Sequence, residues 1–212
     1  MEDTKPISVQ TLKRLPIYLN YLKSLKKDEV VYISATSIAH ALGLNDVQVR
    51  KDLAAVSDKG KPKLGYVFAE LIMDIESYLG YDNIHTSVLV GAGNLGRAFL
   101  CYHGFSTYNL EIVAAFDKDE NVIGSNINKK QVLSLNKLKN LCERMKIKIG
   151  IITVPESEAQ TVCDLLVESG VLAIWNFAPI NLNVPEEVIV QNENIGSSLA
   201  ILSQHLSEKL YK

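Results

Sequence analysis

Apolar positions change period near residue 80, and the change predicts two kinds of structure. In the first part Leu12, Leu15, Leu19, Leu22 and Leu25 recur every three or four residues, which predicts one apolar stripe on a helix over residues 8–26. A brief extended link at 30–33 follows. Ser34 or Thr36 can cap a second helix that runs through Ala41 and stops at Gly43. Asn45, with Gln48 three residues on, has the form of a capping box and opens a third helix over 46–56. Residues 58–65 read as a turn rich in lysine, and another amphipathic helix spans 68–79. Three helices and a basic turn suit a winged helix-turn-helix over residues 1–80.

After Gly80 short apolar runs rich in β-branched residues alternate with helical stretches. The runs 86–90, 110–116, 148–154, 171–175 and 188–191 read as buried parallel strands. Helices are expected at 95–102, 135–145 and 156–169. This is the order of a doubly wound α/β domain of Rossmann type, over residues 81–194. At the end of the chain Ile195, Leu199, Leu202, Leu206 and Leu210 form a second helical stripe, and residues 195–212 are expected to seek a partner surface.

Composition narrows the class. With 212 residues and 47% hydrophobic content the chain can bury a real core. No apolar run approaches the roughly 18 to 20 residues of a membrane span. Residues 1–6 lack a signal peptide's basic-then-apolar layout, so a cytoplasmic protein without membrane contact is expected. Cys101, Cys142 and Cys163 lie far apart with no C-x-x-C spacing, which predicts core thiols, no metal site and no disulfide. The net charge of −2 hides an asymmetry. Residues 1–66 hold 11 Lys and Arg against 7 Asp and Glu, whereas residues 67–212 hold 11 against 17. The two parts are expected to meet different partners, with nucleic acid a candidate for the first.

The second part carries the sharpest motif. Gly91-Ala92-Gly93-Asn94-Leu95-Gly96 directly follows a predicted strand and opens a predicted helix, whose unpaired amides would face a pyrophosphate. The next strand ends at Asp117, 21 residues after Gly96, where a carboxylate can bind both ribose hydroxyls. Asp117 would repel a 2′-phosphate, which favours NAD(H) over NADP(H), and the adjacent Lys118 softens that preference. Two loops leaving other strands, Thr153-Val154-Pro155 and Asn176-Phe177-Ala178-Pro179, can line the nicotinamide end.

A catalytic set is missing. Hydride transfer to a carbonyl normally needs a proton donor beside the nicotinamide. The sequence has no Tyr-x-x-x-Lys, and its four histidines are scattered, with only His103 near the cofactor helix. A cofactor site without catalysis suggests a sensor. On the helix from Asp46, Val49, Leu53 and Val56 share an inward face. Val47, Arg50, Lys51 and Ala54 look outward, with Asn45 at the cap and Gln48 at the side. Arg can read guanine, Gln adenine, and Lys can hold phosphate, while Lys59, Lys61 and Lys63 can reach the backbone or the minor groove.

With these residues assembled, the chain resembles the Rex family of redox-sensing transcriptional repressors over nearly its whole length. The resemblance rests on Arg14-Leu15-Pro16-x-Tyr18-Leu19, Val49-Arg50-Lys51-Asp52-Leu53, Gly65-Tyr66, the glycine turn, Phe116-Asp117, and the two strand-end loops. It implies a homodimer that binds a palindromic operator on double-stranded DNA, is released by NADH, and exchanges its terminal helix between subunits. It also implies that Tyr102 responds to the nicotinamide. The alternative is a small NAD-dependent oxidoreductase whose amino-terminal helices serve only for dimerisation. A CoA- or nucleotide-binding module is a third reading.

The chain departs from that family in several places. Ala54-Ala55-Val56-Ser57 stands where the family has Ser-Tyr-Phe-Gly, and Pro62-Lys63 replaces the wing's Arg-Gly. Asn194 stands for the carboxylate before the terminal helix, and Asn20 for the arginine that it pairs with. A neutral pair would hold a quaternary state more weakly, so a less steep switch is expected.

Overall fold

The computed structural model describes residues 7–26 and 30–211. The amino terminus inspected above for a leader and the last residue of the expected terminal segment lie outside the described residues. The chain divides into two compact units, residues 1–83 and 84–212.

In the first unit α1 (Val9–Ser24) starts at Ser8, whose hydroxyl accepts from the Thr11 amide. Its buried face is Thr11, Leu15, Tyr18, Leu19 and Leu22. Leu12 is 39% exposed, so the stripe is turned from the all-leucine one expected from spacing. The reason is polar: Thr11 and Tyr18 are drawn inward by hydrogen bonds to a buried carboxylate described below. The link at 30–33 contains β1 (Tyr32–Ile33), and Ser34 caps α2 (Ala35–Leu42), which ends at Gly43 with positive φ. Asn45 caps α3 (Asp46–Val56). β2 (Tyr66–Val67) pairs antiparallel with β1 and leads into α4 (Phe68–Tyr78). Between α3 and β2 the chain makes a small wing, closed by paired amide and carbonyl groups of Lys61 and Gly65. Gly65 has φ 86°, and a Cβ there would run into the Ile33 carbonyl.

The second unit is built on one seven-stranded sheet. Its strands are β3 (His85–Val90), β4 (Leu110–Asp117), β5 (Asn126–Ile127), β6 (Lys130–Ser134), β7 (Ile149–Ile152), β8 (Ala173–Asn176) and β9 (Ile189–Asn192). They lie in the order β5-β6-β4-β3-β7-β8-β9, all parallel except β5. From β6 to β9 this is the 3-2-1-4-5-6 order of a dinucleotide-binding sheet. The helices between strands are α5 (Asn94–Cys101), α6 (Leu138–Met145) and α7 (Glu156–Glu168). The expected helix at 135–145 is divided, because Leu135–Lys137 forms a separate 3₁₀ turn. Two elements were not expected: the β5–β6 hairpin and a 3₁₀ turn at His103–Tyr108.

Sheet and helices enclose two apolar layers, one around Val88, Phe116, Leu138 and Leu166, the other around Leu89, Leu100, Ala115 and Ile151. Cys142 and Cys163 are buried, and burial pushes both thiols up to about 11. Cys101 is exposed at the end of α5, against the expectation of three core thiols. α8 (Ile195–Leu210) starts at Asn194, whose side chain accepts from the Ser197 amide. Apart from Ile195, whose side chain is outside the described set, its residues are all exposed. No described helix is long and apolar enough to cross a membrane.

Candidate functional site

The glycine turn lies where the strand order reverses, between β3 and β7. The Gly91 amide donates to the Phe116 carbonyl of β4, and Thr153, at the end of β7, donates its hydroxyl to the Gly91 carbonyl at 2.7 Å. Gly91 has φ 104°, and a Cβ there would meet Thr153 and Val154 at 2.8 Å. A Cβ on Gly96 would run into the Gly91 carbonyl. Around Gly93 nothing lies within 4 Å of such an atom. The outer two glycines are thus demanded by the fold, and the middle one leaves room for a ligand to reach the amides that open α5. Asn94 and Leu95 occupy the first turn of that helix.

Asp117 ends β4 and accepts from the Ala92 amide at 2.7 Å and from the Asp119 amide at 3.0 Å. Its carboxylate is therefore fixed against the turn. A cavity of about 150 Å³ is lined by Gly91, Gly93, Asp117, Lys118, Val154 and Pro155, among others. A wider cavity of about 320 Å³ lies around Tyr102, His103, Asn109 and Glu111. It includes no residue of the glycine turn, so the smaller one is the candidate for a dinucleotide's phosphate and ribose.

The second strand-end loop is held by its own first residue. The buried Asn176 amide donates to the Ala178 and Ile180 carbonyls and to Asn192 Oδ1, and Asn176 Oδ1 accepts from the Ala178 amide. Asn176 positions the loop, and its side chain is fully used. Phe177 joins Phe99, Phe105 and Trp175 in an aromatic cluster, with Tyr102 edge-on to Phe105 at 4.9 Å.

In the first unit α3 presents Asn45, Val47, Gln48, Arg50, Lys51, Ala54 and Ala55 to solvent. Asn45 Oδ1 caps the Gln48 amide, but the reciprocal half of the capping box is absent, because Gln48 Nε2 donates to Asp52 Oδ1 at 2.9 Å. Arg50 lies 3.3 Å from Asp46, one turn back. A groove of about 580 Å³ runs between α3 and the wing, lined by Ser34, Thr36, Arg50, Lys61 and Lys63. Lys59 is turned away onto Asp74 of α4 at 2.7 Å. Lys63 has φ 65°, the left-handed conformation that favours glycine.

Sequence reasoning passed over the residue that aims this helix. Asp52 is 2% exposed. It receives Arg14 through two nitrogens at 2.7 and 2.9 Å, the Tyr18 hydroxyl at 2.7 Å, the Thr11 hydroxyl at 3.0 Å, and Gln48. Burial alone would raise the Asp52 carboxyl, but these hydrogen bonds outweigh it and hold the group below its usual value. The same pairing raises Arg14, and burial with the Asp52 bond pushes Tyr18 up to about 12. The signal was present: Asp52 falls on the inward face with Val49, Leu53 and Val56, while Arg14 and Tyr18 are four apart on α1. Arg97 was also missed. It lies on α5 with its Nε on the Ala92 carbonyl at 3.1 Å, a cation beside the glycine turn.

Comparison with known proteins agrees with both units. A family model described as a CoA binding domain matches residues 82–180, and one described as a putative DNA-binding protein N-terminus matches residues 6–54. Proteins named redox-sensing transcriptional repressor Rex match at full length. The one from Treponema denticola is 40% identical over 99% of this chain and 100% of its own. The one from Clostridium beijerinckii is 40% identical over 98% and 99%. The crystal structure of RSP in complex with β-NAD⁺ and operator DNA superposes with a TM-score of 0.89 at 34% identity, covering 98% of this chain and 95% of that one. The structure of RSP with β-NADH gives 0.84, at 34% identity over 97% and 96%.

Proposed function

The chain belongs to the Rex family of redox-sensing transcriptional repressors, and we propose that it binds a palindromic operator as a homodimer and releases it when NADH binds. It is a repressor and not an enzyme, as its full-length relatives are named. The oxidoreductase reading is set aside on the same ground. One observation carries the proposal. The chain joins an exposed cationic face on a capped helix to an open phosphate turn, and its sequence has no Tyr-x-x-x-Lys pair beside that turn.

In this reading NAD(H) lays its pyrophosphate on Gly91 to Gly96 and its ribose on Asp117, with Arg97 beside the phosphates. Val154, Pro155, Phe177 and Ala178 line the nicotinamide side, held in place by Thr153 and Asn176, and Tyr102 lies near that end. Arg50, Lys51, Val47 and Gln48 face bases or phosphates from α3, and Lys61 and Lys63 approach the DNA backbone from the wing. Asn45 positions the start of α3, and Lys59 stays with Asp74. α8 forms the dimer contact, and two-fold symmetry sets one half-site per subunit. The protein works in the cytoplasm. Asn20 and Asn194, lacking the charges of the family pair, make the coupling between NADH and DNA less steep.

A gel shift with an AT-rich palindromic duplex, with and without NADH, tests the reading. The duplex is expected to shift and to be freed by NADH. Replacing Arg50 and Lys51 together with Ala abolishes the shift and leaves NADH binding intact. Duplex binding indifferent to NADH, or loss of NADH affinity in the double variant, overturns it. Relief as sharp as that of a relative carrying the ion pair overturns the weaker coupling alone.

A further inference from the structure

Lys118 follows the ribose-binding Asp117, at the place where a 2′-phosphate would extend from an adenosine ribose. Among the described residues lining the 150 Å³ cavity it is the one cation. Taken alone it would draw a 2′-phosphate in and blunt the selectivity that Asp117 imposes. The structure shows where its charge goes instead. Lys118 Nζ lies 2.9 Å from Glu158 Oε1, and Glu158 lines the same cavity from the opposite side.

Glu158 belongs to the first turn of α7, which begins after Pro155. A carboxylate there is favoured by the partial positive charge of the helix start. Asp117 is equally fixed, because its two oxygens accept from the Ala92 and Asp119 amides. The rim of the cavity therefore presents two anchored carboxylates and one cation already engaged. A ribose that carries only hydroxyls meets acceptors it can donate to. A ribose that carries a 2′-phosphate, with close to two negative charges, meets net negative charge and, among the described residues lining the cavity, no unengaged cation.

We propose that Glu158 is a specificity-determining residue: by holding the Lys118 ammonium across the mouth of the ribose pocket, it denies a 2′-phosphate its counter-charge and keeps the site selective for NAD(H). The proposal rests on the dinucleotide reading of this cavity. It goes further in naming a side chain outside the fingerprint as half of the discrimination. An ordinary surface ion pair of this exposure contributes little to stability and has no effect on ligand choice, so the two roles are separable.

Titration of the full chain with NADH and with NADPH, followed by calorimetry, tests it in three forms: the natural protein, Glu158→Gln, and Glu158→Gln with Lys118→Met. The natural protein is expected to favour NADH. In Glu158→Gln the ratio of NADPH to NADH affinity rises about tenfold, the scale for removing one charge a few ångströms from a phosphate. Adding Lys118→Met returns the ratio to its starting value, because the freed ammonium carries the gain. An unchanged ratio in Glu158→Gln, or a gain that survives Lys118→Met, overturns the proposal and leaves the NADH site standing. A natural protein that binds neither dinucleotide overturns the reading beneath it as well.

Discussion

The two units fix a functional piece of backbone by opposite means. In the first, α3 is aimed by a charge: Asp52, buried between α3 and α1, takes hydrogen bonds from Thr11, Arg14, Tyr18 and Gln48. In the second, the glycine turn is held by shape and backbone contact, with Gly91 against Thr153 and Gly96 against the Gly91 carbonyl. A buried carboxylate can be weakened by a proton or by one changed atom. A steric fit ignores pH and fails only when volume is added.

The largest expected effect comes from Asp52→Asn, which keeps the shape and removes the charge. Breaking a buried pair on one side typically costs 3–5 kcal/mol. Arg14 retains some access to water, so a loss of about 3 kcal/mol is expected in the first unit. Denaturant unfolding of the chain and its variant measures it, and NADH binding stays as it was. The pH dependence has a definite sign. Because the folded Asp52 carboxyl lies below its usual value, its contribution is complete above about pH 4 and is lost as pH falls through the folded value. In Asp52→Asn that acid-sensitive part of the melting profile disappears. Equal acid sensitivity in both proteins would show that the charge does not aim the helix.

Adding volume to the turn comes next. Gly96→Ala places a methyl against the Gly91 carbonyl, and the shift it forces should lower NADH affinity on the order of 100-fold. Gly93→Ala sharpens the contrast. With open space around that position, thermal stability is unchanged and only the ligand suffers. If both substitutions destabilise the apo chain alike, the division of labour among the glycines is wrong. The smallest effect is expected in the wing. Lys63→Gly relieves a left-handed lysine, a gain of about 1 kcal/mol in stability. The same change removes a cation from the groove and should lower duplex affinity and flatten its salt dependence.

How much of this was legible from the sequence follows the same division. Features written in consecutive residues could be read directly: the strand, glycine turn and helix order, the Asn45 cap, and the outward face of α3. Features joining distant residues could not. Arg14 lies 38 residues from Asp52, and a charged residue counts against an inward face until its partners are known. Lys118 and Glu158 are likewise joined only by the fold, so the ion pair that engages a cation read as softening the cofactor preference could not be seen in the sequence. The β5–β6 hairpin escaped for a different reason. Its two-residue loop, Asn128–Lys129, has positive φ at both positions, where Asn-Gly would be the usual signal. Lysine at a glycine position hid that turn, as it altered the wing at Lys63.

The bare stripe on α8 adds a variable that neither DNA nor nicotinamide supplies. Leu199, Leu202, Leu206 and Leu210 are each more than half exposed on the single chain. Apolar surface of that kind favours burial, and pairing of two copies through it would be a second-order process that slows with dilution. In the proposed dimer, response to the nicotinamide pool would then depend on how much protein the cell holds. At low copy number the operator would empty for want of pairs, whatever the redox state.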